Sequence, residues 1–321
     1  MKKIVGLLLL ISIVFVFSIS VSAEQFPERS LRYIVPYDPG GLSDITARRM
    51  QSIISEKDLL DVSFNVHNIS GASAGHGMIE VRDADPDGHT LLHHHTSFIT
   101  HRAAGVRDWG FEEYTPVALL FEVPAVLFTY SGRYESLEEW IEDVENNPGE
   151  TTFAVSSLGG NAHLFAEQVL DSIGIRDKLE VAAYGAGGPM FTAMLGEEDD
   201  ISAAPLPQAM EHHEAGDMKI LATGTEERLP FLPDVPTLKE LGYPIPLNVA
   251  YRMGVWAPPE TPQERVDYLY DFFEELITSE EFEEAAEDLG VFPNIQPGER
   301  LYELFEQDDE VINDLLEELD L

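Results

Sequence analysis

Leu31-Arg32-Tyr33-Ile34-Val35-Pro36-Tyr37-Asp38-Pro39-Gly40-Gly41-Leu42-Ser43-Asp44-Ile45-Thr46-Ala47-Arg48 is the stretch whose grammar sets the fold. Residues 31–35 are β-branched and aromatic, Pro36 closes the run, and Gly40-Gly41 gives way to Ile45, Ala47, Met50, Ile53 and Ile54 at helical spacing. Strand, glycine turn and helix form the unit of a parallel α/β sheet, with the turn at the carboxyl end of the strand. There the helix start exposes N–H groups without intrahelical acceptors and the positive end of its dipole. That geometry binds anions.

The unit repeats along the chain. Gly71-Ala72-Ser73-Ala74-Gly75 follows a strand over 62–66 and precedes a short helix through Met78, Ile79 and Val81. Ser156-Ser157-Leu158-Gly159-Gly160-Asn161 and Tyr184-Gly185-Ala186-Gly187-Gly188 follow strands over 152–155 and 179–183. Asp85-Pro86-Asp87-Gly88 is a turn before a strand that starts at Thr90. The apolar run 121–130 reads as the crossover out of the first half, and Ile220-Leu221-Ala222-Thr223 as the return strand. Ser136 and Glu139 have the spacing of a capping box for a helix that Asn146-Asn147-Pro148-Gly149 stops. Thr261 and Glu264 repeat that spacing, with Pro262 at the first helical position. Val266, Leu269, Phe273, Leu276 and Ile277 then make one buried helix face, and the acidic residues of a last helix over 301–319 read as solvated.

Lys2 and Lys3 precede an uncharged apolar run over 4–19, and Val21-Ser22-Ala23 has the small residues of a cleavage site. Residues 1–23 therefore read as a secretory signal. The alternative, an uncleaved anchor, suffers from a run near the lower limit for a bilayer span. The chain has no cysteine, so the leader offers no lipid attachment site and the fold no disulfide framework. The expected mature protein is exported and is not inserted in the membrane.

The chain has 59 acidic and 19 basic residues, a formal net charge of −40 that becomes −42 without Lys2 and Lys3. Nucleic acid and anionic membranes are excluded as partners by such a surface. The glycine turns nevertheless call for an anionic ligand. A host living in high salt reconciles the two, because a Debye length of about 3 Å near 1 M salt keeps a distant surface field from the site. Roughly 300 mature residues exceed one comfortable core and imply two domains, and no low-complexity linker separates them.

Residues 26–48 as a whole resemble the opening of the substrate-binding proteins of tripartite tricarboxylate transporters, also called the Bug family. Later landmarks agree in order: Asp85-Pro86-Asp87-Gly88-His89-Thr90-Leu91-Leu92, Tyr184-Gly185-Ala186-Gly187-Gly188-Pro189, Pro233-Asp234-Val235-Pro236-Thr237-Leu238-Lys239-Glu240-Leu241-Gly242 and Trp256-Ala257-Pro258-Pro259-Glu260-Thr261-Pro262. The resemblance implies a periplasmic, type II-like clamshell in which each lobe is a mainly parallel sheet flanked by helices, joined by two crossover strands. The first lobe would comprise 24–122 and 225–321, the second 123–224. It also implies a monomer that captures a small organic acid, without cofactor, and presents it to a sodium-coupled permease.

By the same resemblance, one ligand carboxylate is held in the first loop, at Tyr37, Asp38, Pro39, Gly40, Gly41 and Ser43. The opposite lobe contributes the loops containing Ser156, Ser157 and Asn161 and containing Tyr184, Gly185 and Gly187. Ser156, Ser157 and Asn161 carry donors for a carboxylate, and the same hydroxyls could instead be plain helix caps. Ser73, His76 and His163 lie in or just after glycine turns, where each histidine could donate to an anion. Asp44 either complements the helix dipole or accepts from an amine or hydroxyl of the ligand.

Two departures from the family pattern concern specificity. Asp38 puts a carboxylate at a usually uncharged position, where it repels a ligand carboxylate unless it points away. His93-His94-His95 places two imidazoles on one face of a strand, open to packing, ligand contact or metal binding. An enzyme is disfavoured: the chain has no G-x-S-x-G elbow, H-E-x-x-H, P-loop or G-x-G-x-x-G fingerprint. A sensory protein that signals to a histidine kinase would use the same clamshell and is the second reading.

Overall fold

The computed structural model describes residues 26–319 apart from positions 104, 157, 186 and 247. The expected leader and Ser157 lie outside the described residues. In chain order the elements are β1 (Leu31–Val35), α1 (Leu42–Glu56), β2 (Phe64–Asn68), α2 (Gly75–Arg82), β3 (Thr90–His95), α3 (Ser97–Ala103), β4 (Thr115–Tyr130), α4 (Leu137–Asn146), β5 (Thr152–Ser156) and α5 (Asn161–Ile173). They continue with β6 (Glu180–Tyr184), α6 (Gly187–Leu195), β7 (Ile201–Pro205), α7 (Leu206–Ala215), β8 (Met218–Thr223), β9 (Val249–Ala257), α8 (Gln263–Ile277), α9 (Glu280–Leu289), β10 (Phe292–Pro297) and α10 (Gly298–Glu318).

Two parallel trios carry the lobes. β2, β1 and β3 form one, with Val35 opposite Asn68, and β6, β5 and β7 form the other, with Ser156 opposite Tyr184. The registers bring the first and second glycine turns to neighbouring strand ends, and likewise the third and fourth. Antiparallel strands extend both trios. β4 is long enough to belong to both sheets: Thr115 to Pro124 pair with β9, and Ala125 to Tyr130 with β7 and β8. A strand of that length, buried along nearly all of it, makes a stiff spine between the lobes. The continuous path runs β2-β1-β3-β9-β4-β7-β5-β6.

Some expectations shift. β2 starts two residues later than 62 and ends on Asn68, whose side chain proves useful below. β8 matches the expected return strand in place, yet it pairs only with the second half of β4; the strand that rejoins the first sheet is β9. Ser136 caps α4 by accepting from Glu139 N–H at 3.2 Å, while the Glu139 carboxylate accepts from Glu135 N–H rather than from the cap residue itself. The second expected box does not form. Thr261 Oγ1 turns back to donate to Pro258 O at 2.8 Å, and α8 begins at Gln263 with Pro262 as its cap.

A buried ionic cluster crosses the spine. Arg252 on β9 meets both oxygens of Asp308 on α10 at 2.8 and 2.9 Å and approaches Glu122 on β4 at 3.2 Å. Burial pushes the Asp308 carboxyl up to about 6 against the lowering effect of the Arg252 charge.

Candidate functional site

The first and third turns share one construction. Gly40 has φ +91° and Gly159 has φ +72°, a left-handed backbone that favours glycine at both positions. Gly41 and Gly160 follow as extended N-caps of α1 and α5. Four residues after each left-handed glycine a side chain reaches back to its amide: Gly40 N–H donates to Asp44 Oδ2 at 2.9 Å, and Gly159 N–H donates to His163 Nδ1 at 2.9 Å. The next amides, in the first helical turns at Leu42, Ser43 and Ala162, have no intrahelical acceptor and are the ones offered to an anion.

Asp44 is buried and fully engaged. Besides Gly40 it accepts from Asn68 Nδ2 at 2.9 Å and pairs with Arg48 Nε at 2.9 Å. Burial alone would raise its carboxyl; the donated hydrogen bonds and the Arg48 charge outweigh that and hold it below its ordinary value. Asn68 also donates to Tyr37 O at 3.1 Å, so the end of β2 ties both sides of the turn. Asp38 is exposed and accepts from Ser70 Oγ at 2.5 Å.

His163 is buried as well. Because its Nδ1 accepts from Gly159, the proton sits on Nε2, which faces Glu167 Oε1 at 3.3 Å. Glu167 in turn pairs with Arg176. Asn161, the first residue of α5, donates to Ala250 O at 2.7 Å, so the second lobe's turn is pinned to the start of β9.

A line of aromatic contacts joins the two turns. Tyr37 stacks on His95 with ring centres 5.2 Å apart and planes within 3°, and His95 packs on Tyr251 at 4.5 Å, beside the Ala250 carbonyl that Asn161 holds. Tyr37 OH is 2.7 Å from Ser97 Oγ and 3.2 Å from His94 Nδ1. Burial raises the Tyr37 and Tyr251 hydroxyls above their usual range. Burial, and secondarily the neighbouring imidazoles, push His93 and His95 down to about 3 and His94 well below its ordinary value. The floor between the turns is therefore uncharged at neutral pH. His93 points away from it into the core, 2.7 Å from Tyr33 OH and 3.3 Å from Thr46 Oγ1.

The remaining sequence candidates divide. Ser73 lies in a run of three non-glycine residues with positive φ: Ala72 (+50°), Ser73 (+52°) and Ala74 (+70°). Each costs about 1–2 kcal/mol. His76 Nδ1 lies 3.0 Å from Ser70 O, beneath the 71–75 turn. Tyr184 donates to Asp199 Oδ2 at 2.5 Å, an acceptor that, with burial, pushes the phenol up to about 12. Gly185 is exposed, and a Cβ on Gly187 would lie 3.3 Å from Gln208 Oε1. Thus a chain of contacts links Gly40 and Asp44, through Asn68 and Tyr37, to His95, Tyr251 and Asn161, whereas Tyr184 is tied within its own lobe. Asn68, Ser97, Arg107, Ala250 and Tyr251 were not singled out from the sequence. Only the equal spacing of Gly40 to Asp44 and Gly159 to His163 was a readable sign of the shared lock.

The profile of the tripartite tricarboxylate transporter family receptors (TctC) matches residues 47–321. The chain belongs to this family. The Bordetella pertussis protein BugT is 30% identical over 282 residues, 86% of this chain and 84% of that protein. A TctC solute-binding protein from Polaromonas, solved without ligand, superposes with a TM-score of 0.80 at 23% identity, covering 91% of this chain and 99% of that one. The periplasmic binding protein BugD gives 0.68 at 26% identity, over 91% and 98% of the two chains. The two-lobed architecture is that of these solute-binding proteins. Among the described residues no helix is long and apolar enough to cross a membrane.

Proposed function

We propose that this protein captures a small organic acid between a lobe formed by 24–122 with 225–321 and a lobe formed by 123–224, and delivers it to a tripartite tricarboxylate permease. What supports the reading is the pair of locked turns, each leaving helix-start amides without an intrahelical acceptor, with a line of uncharged rings between them. A ligand carboxylate supplies the acceptor those amides lack. Ser156, Ser157 and Asn161 add donors from the second lobe. Solved family structures support the ligand class: MatC of Rhodopseudomonas palustris holds malate and another protein of that organism holds adipate. Both are 24% identical to this chain, so the choice of acid rests on experiment.

The test is thermal unfolding of the mature protein in molar salt against malate, adipate, succinate, citrate, aspartate, glutamate and aromatic acids. An acid at 100 times its dissociation constant adds about 2.7 kcal/mol. Flat curves for every acid, with a shift from a cationic compound, overturn the reading. Export with cleavage after Ala23 is checked by the N-terminal sequence of the secreted protein, which should begin at Glu24. The halophile reading expects stability to rise with added KCl, since screening relieves repulsion within a chain of net charge −40; a maximum near zero salt would refute it.

A further inference from the structure

We propose that Arg107 is the ion-pair anchor for one carboxylate of the ligand, at a subsite formed by the 71–75 turn and the Tyr37 side of the floor. The proposal rests on the carboxylate-capture reading above and adds a charged residue to it.

Three described arginines, Arg49, Arg107 and Arg265, form no ion pair with a described carboxylate, and of these Arg107 is the one that contacts the 71–75 turn. Most described cations have a carboxylate partner, as Arg48 has Asp44, Arg133 has Asp143 and Asp200, and Arg252 has Asp308. Arg107 forms no ion pair with a described carboxylate in a chain with 59 of them. Its Nη2 donates to the carbonyls of Ala72, at 3.3 Å, and Ser73, its Nη1 donates to Met78 Sδ at 2.8 Å, and its guanidinium carbon sits 5.4 Å from the centre of the Trp109 ring. These neutral contacts engage three of five donors and leave the positive charge uncompensated. Arg133 and Arg252 use the same fork on carboxylates.

Its location adds to the charge argument. Nη2 lies 3.8 Å from where a Cβ on Gly75 would be, at the first residue of α2. A cation there opposes the positive end of the helix dipole, so an anion between the two would be attracted by both. The same arginine clamps the carbonyls of the left-handed run, which holds a costly backbone in place beside the first turn. Its charge is felt at Tyr37, Tyr114, His94 and His101. Among the described residues, two of those neighbours have buried ring nitrogens without a hydrogen-bond partner, His94 Nε2 and His101 Nδ1, and His94 is fully buried. Neutral imidazoles with a vacant nitrogen offer further hydrogen bonds to a polar ligand without adding a competing negative charge. Asp38 and Asp44 both carry negative charge at the first turn; Arg107 at the adjacent turn is the counterweight that lets an anionic ligand approach.

Calorimetry with the best acid of the panel and with its monoamide tests the assignment on the mature protein in salt. Wild type should prefer the diacid to the half-amide by about 10-fold or more. Arg107→Gln should weaken the diacid by about 10- to 100-fold while moving the half-amide only a few-fold, and Arg107→Lys should recover part of the loss. Equal affinity of wild type for diacid and half-amide overturns the proposal without recourse to any variant. Arg107→Gln binding the diacid like wild type overturns it too. So does an equal loss for both ligands, which would make Arg107 only a clamp on the 71–75 turn. A wild type that binds no acid at all is a different result, since it removes the carboxylate reading itself.

Discussion

The first lobe holds its first glycine turn with a carboxylate, the second lobe with an imidazole. Gly40 and Gly159 have the same backbone hand, the same extended glycine cap after them and the same four-residue reach to their lock. What differs is the charge placed next to the helix start. Asp44 brings a negative charge that Arg48 and Asn68 must stabilise inside the protein. His163 brings none, and its second nitrogen is oriented by Glu167. One geometric task therefore has two electrostatic solutions, and Arg107, which pairs with no described carboxylate, stands on the side with the carboxylate.

The comparison holds only while the spine between the turns is rigid, so the largest expected effect comes from breaking the spine. Arg252→Met leaves Asp308 buried without its partner and should cost about 3–5 kcal/mol in urea unfolding. Arg252→Met with Asp308→Leu should recover part of that loss, because the Asp308 charge leaves with its partner while Glu122 still loses Arg252. A single substitution within experimental error of wild type would show that the cluster does not brace the lobes.

Acid sharpens the asymmetry next. His93 and His95 in the first lobe titrate near 3 when folded and near 6.5 when unfolded, so the unfolded chain binds more protons between those values. Stability is complete above about pH 6.5 and falls by about 1.4 kcal/mol per histidine for each unit below it, toward pH 3. Asp308 works in the opposite direction: its carboxyl titrates near 6 when folded, above the unfolded value, so its contribution is present at low pH and is lost as pH rises through about 4 to 6. The two histidines outweigh one aspartate, and net stability should drop from pH 6.5 to 5. His93→Gln should flatten the slope by about 1.4 kcal/mol per unit when denaturant midpoints are followed against pH. An unchanged slope would mean that His93 takes up its proton in the folded state.

Asp44→Ala comes third. It strips acceptors from Gly40 N–H and Asn68 Nδ2 and should cost about 1–3 kcal/mol, while Asp44→Asn keeps one acceptor and should cost less. If the two variants are equally stable, the hydrogen bond to Gly40 is not what holds the turn.

Much of this architecture was legible from local pattern. Strand, glycine turn and helix repeat because β-branched runs, left-handed glycines and helical apolar spacing are set within a few residues, and Ser136 caps α4 for the same local reason. Long-range partners were not. Arg252 and Asp308 lie 56 residues apart, and nothing in either neighbourhood marks the other. The His93 to His95 run carried chemistry in its composition, but only the stacking of Tyr37, His95 and Tyr251 shows which ring faces the floor and which the core. Thr261 misled because a hydroxyl beside proline had a nearer carbonyl at Pro258 than any helix amide. Arg107 gave no signal at all, since the groups it touches, Met78 and the 71–75 turn, lie 29 to 35 residues before it.

The smallest expected effect is also the most direct exchange between the lobes. His163→Ala removes one neutral acceptor from Gly159 N–H and should cost about 0.5–1.5 kcal/mol, less than Asp44→Ala, because Glu167, the charged group it faces, keeps Arg176. His163→Asp instead imports the first lobe's solution: a carboxylate four residues after the left-handed glycine can accept from Gly159 as Asp44 does from Gly40. The new charge would have no counterpart of Arg48 and would sit one helical turn from Glu167, which is already committed to Arg176. The turn should stay shaped while the local potential becomes negative, so affinity for an organic acid should fall by more than His163→Ala lowers it, and the gap should narrow as salt is added. Calorimetry at two salt concentrations reads this difference. If His163→Asp binds as tightly as His163→Ala in low salt, the second lobe does not need an uncharged lock, and the asymmetry between the turns is one of sequence alone.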